Sequence, residues 1–197
     1  MMESTMRKVH WFAAAGAAAL LVPLSGCSGE ADTPAATAAP AEAGTGTLAA
    51  KIGSAPGLTT ISGALSEAGL ADVFDGPGSY TVLAPDDDAF AKLGDTGSAL
   101  TEPANRAELV AVLRGHILPG HLTPQAIKTA IGEKKGPVSM RNLAGDQIEF
   151  SLDGDAIIAT GSGGIKARID GAPLVASNGV VLPLDALIKS AQPETIS

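Results

Sequence analysis

The stretch SYTVLAPDDDAFAKL, residues 79–93, contains a strand, a sharp stop and the start of a helix. Residues 80–84 are apolar and rich in strand formers, and Pro85 has no N–H with which to continue a ladder, so we expect the strand to end there. The three aspartates at residues 86–88 offer acceptors to the free N–H groups of a helix that begins near Asp87. The stretch therefore predicts a buried strand that leads directly into an acidic helix start.

The three aspartates have a structural and a chemical interpretation. As helix caps, Asp86 and Asp87 would accept hydrogen bonds at a solvated edge, while Phe90 would belong to the apolar face of the helix. The alternative is a metal-binding or catalytic cluster, a kind of site in which carboxylates often have perturbed pKa values. We interpret the aspartates as helix caps.

The first 26 residues have the pattern of an export signal. Arg7 and Lys8 precede an apolar run, residues 9–24, that contains no acidic residue. The run ends in Leu-Ser-Gly-Cys, which resembles the lipobox of lipoproteins, so we predict a lipoprotein signal peptide over residues 1–26 and a lipid anchor at Cys27. A plain secretory signal and a retained membrane helix are the alternatives, and the short length of the run disfavours the membrane helix.

The next segment has the composition of a tether. Between residues 28 and 47 the sequence is almost wholly Ala, Thr, Pro, Gly and acidic residues. Such a segment cannot bury enough apolar area to offset the entropy of ordering it. We therefore predict a disordered tether over residues 27–46, followed by one folded domain over residues 47–193. Cys27 is the only cysteine, so no intramolecular disulfide can form.

The charge of the protein excludes one class of partner. The formal net charge is −8 at pH 7. Acidic proteins are repelled by nucleic acids and by anionic lipid head groups. We therefore expect no nucleic-acid partner. The export signal and the lipobox predict a location in the cell envelope, with the protein lipid-anchored on its periplasmic or extracellular face.

Apolar residues recur at helical spacing in three parts of the domain. The predicted helices run from Thr59 or Thr60 to about Ala68, from Pro103 onward, and from Thr123 to Gly132. We expect a loop over residues 94–101, between the first two of these helices.

After residue 132 the period of the apolar residues changes from helical to alternating. The alternation predicts four strands, at residues 137–143, 147–152, 156–160 and 165–169. Asp153 and Gly154 are typical of a tight hairpin. A further strand is expected near the end of the domain, where Pro183 either interrupts it or leaves an N–H side unpaired.

Three segments resemble the signature segments of the fasciclin domain family, in the same order. They are residues 79–93, LRGHILPGHLT at residues 113–123, and SNGVVLPLDALI at residues 177–188. The positions that carry the resemblance are Pro85, Asp86, Asp87, Phe90, His116, Pro119, Gly120, Asn178, Gly179 and Asp185. Two positions depart from the family pattern, since Gly115 stands where a tyrosine is usual and Leu182 where a histidine is usual.

The resemblance implies an α+β fold, a fasciclin-like β-sandwich or wedge flanked by several α-helices. It also implies that His116 contacts the acidic helix start after Pro85 and so joins two signature segments. Family members are mostly extracellular or tethered to a surface, and they are associated with cell adhesion and matrix contact. A surface protein or a polysaccharide is therefore the expected partner.

The residues offer no constellation for catalysis or for a bound cofactor. His116 and His121 could form a metal pair only across the turn at Pro119 and Gly120, and no third ligand of the right type lies nearby in sequence. No serine has the context of a nucleophile elbow, and the glycines of residues 161–164 lie between strands rather than ahead of a helix. We therefore predict a protein that is not an enzyme and has no cofactor or metal.

Two functions remain open. The first is adhesion or contact at the cell surface, although Pro173 and Leu174 stand where the family's proposed Asp-hydrophobic contact pair would lie. The alternative is a binding module that carries a small hydrophobic ligand, such as a pigment or a lipid, in the cell envelope. Aromatic residues make up only 3% of the sequence, so a pocket for such a ligand would have to be aliphatic.

Overall fold

The computed structural model describes residues 44–189, which fold as three layers: a layer of helices, a first β-sheet, and a second β-sheet on the far side of the first. The α-helices are α1 (Leu48–Ser54), α2 (Thr59–Glu67), α3 (Ala71–Asp75), α4 (Asp87–Ala91), α5 (Asp95–Leu100), α6 (Arg106–Gly115) and α7 (Pro124–Lys134). The strands are β1 (Tyr80–Pro85), β2 (Ile117–Pro119), β3 (Val138–Arg141), β4 (Gln147–Asp153), β5 (Ala156–Thr160), β6 (Lys166–Arg168), β7 (Leu174–Ala176) and β8 (Gly179–Leu184). The predicted signal peptide, Cys27 and most of the predicted tether lie outside the described residues.

Two four-stranded sheets organise the domain. The first has the order β2-β1-β8-β7, in which the central pair β1 and β8 is parallel and the outer pairs are antiparallel. The second is an antiparallel meander with the order β3-β4-β5-β6. We call the first the central sheet and the second the outer sheet. The predicted α+β class is confirmed.

The central sheet contributes to two hydrophobic cores, because successive side chains of a strand point to opposite faces. On β1, Val82 and Ala84 pack among helices α1 to α6, whereas Leu83 packs against α7 and the outer sheet. On β8, Val181 and Leu182 divide in the same way. Burial on both faces explains why these strands are apolar at nearly every position rather than alternating, with Thr81 of β1 as a buried polar exception.

Helix α7 begins as the sequence predicts. The hydroxyl of Thr123 accepts a hydrogen bond from the N–H of Ala126 (3.2 Å), and Pro124 is the first helical residue. The helix predicted from Pro103 starts as a short 3₁₀ turn and becomes α-helical at Arg106, where α6 begins. Within residues 44–189, no helix combines the length and apolar composition needed to cross a bilayer.

The loop predicted over residues 94–101 is wrong, because this segment contains α5. Leu100 at the end of α5 is 2% exposed and belongs to the helical core, while Asp95 carries its charge in the first turn. Burial of an apolar side chain therefore outweighs the low helix propensity of a segment rich in Gly, Thr and Ser.

Pro183 does not interrupt β8, which continues to Leu184 with Pro183 opposite Ala84 of β1. The carbonyl of Pro183 accepts a hydrogen bond from the N–H of Asp170 (2.9 Å), so its peptide groups face away from β1. The missing N–H therefore removes no bond from the central ladder. Of the two expectations for Pro183, the interrupted strand is wrong.

The outer sheet follows its predicted strands closely. The hairpin at Asp153 and Gly154 is confirmed, since Asp153 pairs with Ala156 across the turn and Gly154 has a φ of +60°. Its inner face, which includes Ile148 and Phe150, packs on the central sheet and on α7.

Candidate functional site

The acidic helix start caps two helices rather than one. Asp86 caps α4, since its Oδ1 accepts a hydrogen bond from the N–H of Ala89 (2.6 Å). Asp87 caps α2 instead, since its carboxylate accepts from the N–H groups of Thr60 (2.7 Å) and Thr59 (3.3 Å). These bonds, chiefly the one from the Thr60 backbone, hold the pKa of Asp87 below its usual value of 3.8.

The residues on either side of the aspartates lie as predicted. Pro85 is the last residue of β1, and Phe90 on α4 is 6% exposed and packs in the helical core. The strand, stop and helix predicted for residues 79–93 are confirmed. The prediction did not include the bond of Asp87 to a second helix.

His116 lies at the end of α6, is 1% exposed, and uses both ring nitrogens on backbone groups. Nδ1 donates to the carbonyl of Val112 (2.9 Å), and Nε2 accepts from the N–H of Ile188 (3.0 Å), which assigns the proton to Nδ1. The expected contact with the acidic helix start is therefore wrong, because neither nitrogen is left for an aspartate. His116 joins the second signature segment to the third instead.

Burial lowers the pKa of His116 from 6.5 to about 4, and the nearby Lys189 cation adds to this effect, whereas the Val112 carbonyl opposes it. The ring is therefore neutral at neutral pH, as its bond to the N–H of Ile188 requires. His121 is exposed beyond β2, and both ring nitrogens of His116 are already hydrogen-bonded, so the two histidines are not arranged to bind a metal ion together. Within residues 44–189, no group of three or more His, Cys, Asp or Glu side chains is placed to hold a metal ion.

Three further residues, which the sequence did not single out, complete the surroundings of His116. Nδ2 of Asn142 donates to the carbonyl of Gly115 (2.8 Å), and Nζ of Lys189 lies 2.7 Å from Oδ2 of Asp146. A Cβ added to Gly115 would lie 2.6 Å from Cδ of Lys189. The lysine stem therefore occupies the space in which the family's usual tyrosine side chain would begin.

The turn at Pro119 and Gly120 is held by a buried hydroxyl of β1. Oγ1 of Thr81 donates to the carbonyl of Gly120 and accepts from the N–H of Leu122, each at 2.8 Å. Gly120 has a φ of +93°, which favours glycine. A single threonine in the apolar run 80–84 was the available sequence signal for this contact.

Asn178 joins the third signature segment to the first helices. Its Oδ1 accepts from the N–H of Leu48 at the start of α1 (2.8 Å). Its Nδ2 donates to the carbonyl of Phe74 in α3 and to that of Gly76 just beyond (3.1 Å for Gly76). One carboxamide thus satisfies three backbone groups that the helix ends leave without partners.

Gly179 and Asp185 lie at the two ends of β8. A Cβ added to Gly179 would lie 1.9 Å from the carbonyl oxygen of Tyr80, so only glycine fits there. At the other end, Oδ1 of Asp185 accepts from the N–H of Arg168 (2.7 Å), and its carbonyl accepts from Nζ of Lys92 (3.0 Å). Strand β8 is therefore attached to β1, β6 and the residue that follows α4.

The signature side chains bond mainly to backbone groups, which leaves no nucleophile aligned with a base among them. Two surface hollows have volumes of about 310 and 370 Å³, and the signature residue Asp185 contributes to the lining of the second. The first is lined mainly by small and polar residues, most of them on α2, and the second lies beside β6 among acidic and basic side chains. The second hollow lacks the apolar lining that carriage of a hydrophobic ligand would need, and the first combines apolar atoms with the hydroxyl groups of three threonines.

Comparison with known proteins relates the chain to the same family that the three signature segments resemble. The sequence pattern of the fasciclin domain matches residues 56–190. Protein sll1483 of Synechocystis sp. is 31% identical over 132 residues, which are 66% of this chain and 66% of that protein. Transforming growth factor-beta-induced protein ig-h3 of Sus scrofa is 30% identical over 131 residues, which cover 66% of this chain but 17% of that protein.

A solved structure is similar in fold. The FAS1 domain pair from the insect cell adhesion molecule fasciclin I superposes with a TM-score of 0.65 at 13% sequence identity. The superposition covers 74% of this chain and 51% of that one. The chain thus spans about two thirds of the Synechocystis protein, about half of the insect domain pair and under a fifth of ig-h3.

Proposed function

The chain belongs to the fasciclin domain family, and from that premise we propose that it is a non-enzymatic contact module at the cell surface. In this proposal Cys27 carries a lipid anchor, residues 27–46 form the tether, and the fasciclin domain mediates adhesion to a surface protein or polysaccharide. The observation that carries the proposal is the use of the signature side chains. These side chains are used to hold the fold together through bonds to backbone groups. We therefore expect residues on the exposed surface, rather than the signature residues, to contact a partner. The shared fold with an insect cell adhesion molecule supports the same role.

We place the contact on the outward face of the outer sheet. Four polar side chains form one row across its strands, in register: Ser139, Glu149, Thr160 and Lys166. All four are exposed or half-buried, because the alternate residues of these strands fill the core. A row of hydroxyl and charged groups on a sheet can bind a polar partner without any change in backbone.

The distribution of charge favours the same face. Residues 44–115, which form β1 and the layer of helices α1 to α6, carry four basic and nine acidic side chains, whereas residues 116–189 carry seven of each. The acidic layer opposes association with acidic partners, while the outer sheet presents both signs. On β6 the cations Lys166 and Arg168 lie two residues apart and so share one face.

The proposal is tested by attachment of cells that lack the gene, complemented with variants of the full-length protein. Wild type should restore attachment, and Cys27→Ser should release the protein from the membrane and fail to restore it. The double variant Lys166→Glu/Arg168→Glu should remain at the surface but restore attachment poorly. The matched control Lys51→Glu/Lys134→Glu makes the same charge change on α1 and α7 and should behave as wild type.

Three results would count against the proposal. Equal attachment with and without the gene would contradict adhesion, and membrane retention of Cys27→Ser would contradict the lipid anchor. A stoichiometric apolar molecule on the protein purified from its own cells, seen by native mass spectrometry, would favour ligand carriage instead. Protease or glycosidase treatment of the target surface then separates a protein partner from a polysaccharide.

A further inference from the structure

The fold requires an asparagine followed by a glycine at the start of β8. Asn178 must supply an acceptor to the N–H of Leu48 and a donor to two carbonyls, which a carboxylate cannot do. Gly179 cannot be replaced, because a Cβ would lie 1.9 Å from the carbonyl oxygen of Tyr80. Both residues of the pair are therefore dictated by neighbouring backbone.

This dipeptide is chemically labile. The backbone nitrogen of a residue that follows asparagine can attack Cγ of the asparagine, and glycine, which lacks a Cβ, hinders the attack least. The nitrogen loses its proton, a bond forms from it to Cγ to close a succinimide ring, and the bond between Cγ and Nδ2 breaks to release ammonia. Water then opens the ring at either carbonyl, which leaves aspartate or isoaspartate.

The native contacts oppose each movement that ring closure needs. The carboxamide of Asn178 would have to leave its partners in α1, in α3 and at Gly76. The peptide unit that joins Asn178 to Gly179 would have to rotate, although its carbonyl accepts from the N–H of Tyr80 (3.2 Å). Separation of α1 and α3 from the central sheet would release the side-chain bonds of Asn178. The bond from Tyr80, which lies at the first pair of the β1–β8 ladder, would then have to open by fraying of the end of that ladder.

We propose that Asn178–Gly179 is a latent deamidation site, quiescent while α1 and α3 are docked and reactive once they open. Neither product can restore the native bonds, because a carboxylate at this position faces the carbonyls of Phe74 and Gly76 without a donor. A transient opening of the first helices is thereby converted into a permanent change. The proposal is independent of the adhesive role.

The first test compares deamidation of the purified full-length protein in mildly alkaline buffer, with and without denaturing urea, by peptide mapping and mass spectrometry. Residue 178 should react at least about tenfold more slowly in the native protein, in proportion to the small population of the open state. The sequence has three asparagines, and Asn105 and Asn142 precede Arg and Leu, so they serve as internal references. Equal rates at residue 178 in both buffers would overturn the proposal.

A matched pair of core variants separates local opening from global unfolding. Ile52→Ala weakens α1, and Ile127→Ala weakens α7, at sites that are 2% and 1% exposed. Both remove the same atoms, so urea unfolding can show whether global stability falls equally. At equal global stability, Ile52→Ala should speed native deamidation at residue 178 several-fold more than Ile127→Ala. Equal rates in the two variants would show that only global unfolding exposes the site, contrary to the proposal.

The product can also be made directly as Asn178→Asp. Hydrogen exchange should become faster at the amides of α1 and α3 in this variant, while α7 and the outer sheet keep their protection. Unchanged protection of α1 and α3 would mean that the carboxylate is accommodated, and the proposed permanence would be lost. If Asn178→Asp does not fold, the two kinetic comparisons above still decide the matter.

Discussion

Lowering the pH from about 7 to about 5 should destabilise this protein through one residue, His116. The pKa of the buried ring is about 4 in the folded protein, against 6.5 for an unperturbed histidine. Below pH 6.5 the imidazole of His116 binds a proton in the unfolded protein but not in the folded protein. The free energy of unfolding therefore falls as the pH falls. The loss amounts to about 2 kcal/mol at about pH 5 and continues until about pH 4, where the folded protein also binds the proton.

The physical cause is the set of groups around the ring. Protonation would place a second donor at Nε2, where the N–H of Ile188 already points at 3.0 Å. The cation would also lie in a desolvated site near the Lys189 ammonium group. Asp87, whose pKa is held below 3.8, titrates under this range and does not contribute between about pH 7 and pH 5.

Urea unfolding of three proteins at the two pH values provides the assay. Wild type should lose about 2 kcal/mol, and His121→Gln, which removes an exposed imidazole, should lose the same amount. His116→Gln should be less stable at neutral pH but should lose much less on acidification, because the titrating ring is gone. The reasoning is refuted if His116→Gln and wild type show the same loss.

Three other substitutions test contacts described above. Asp87→Asn should cost about 1 kcal/mol through the weakened cap on α2, whereas Asp88→Asn, an exposed neighbour, should cost little; thermal unfolding compares them. Gly179→Ala should cost more than about 4 kcal/mol or prevent folding, whereas Gly63→Ala, on an open face of α2, should add roughly 0.5–1 kcal/mol; soluble yield and urea midpoints separate the two. Thr81→Val should cost about 1–3 kcal/mol, because the carbonyl of Gly120 and the N–H of Leu122 lose their buried partner; an unchanged urea midpoint would count against this contact.

The sequence predicted the elements that local chemistry determines. Pro85 ends a strand because it has no N–H, Thr123 and Pro124 start a helix because of their cap and fixed φ, and Asp153 with Gly154 forms a hairpin. Each of these effects acts within a few residues. The three signature segments were also found in this way, because their residues are contiguous.

The partners of the signature side chains could not be predicted, because they are distant in sequence. His116 bonds to a backbone N–H 72 residues away, and Asp87 caps a helix 27 residues upstream. Nothing in a local pattern distinguishes a cap on the following helix from a cap on an earlier one. Helix α5 was missed for a related reason, since burial of Leu100 depends on packing rather than on propensity.

The attachment of Asn178 to α1 also decides how tension would pass through the domain if its N-terminal end were pulled. Ahead of α1, the carbonyl of Gly46 accepts from the N–H of Ser177 beside β7 (2.8 Å), a peripheral contact that can peel away alone. Beyond it, a pull on Leu48 acts on Asn178 and so reaches the start of β8. Six residue pairs join β8 to β1 in the middle of the central sheet. Under tension the first helices would therefore separate from the domain before the central sheet unfolds.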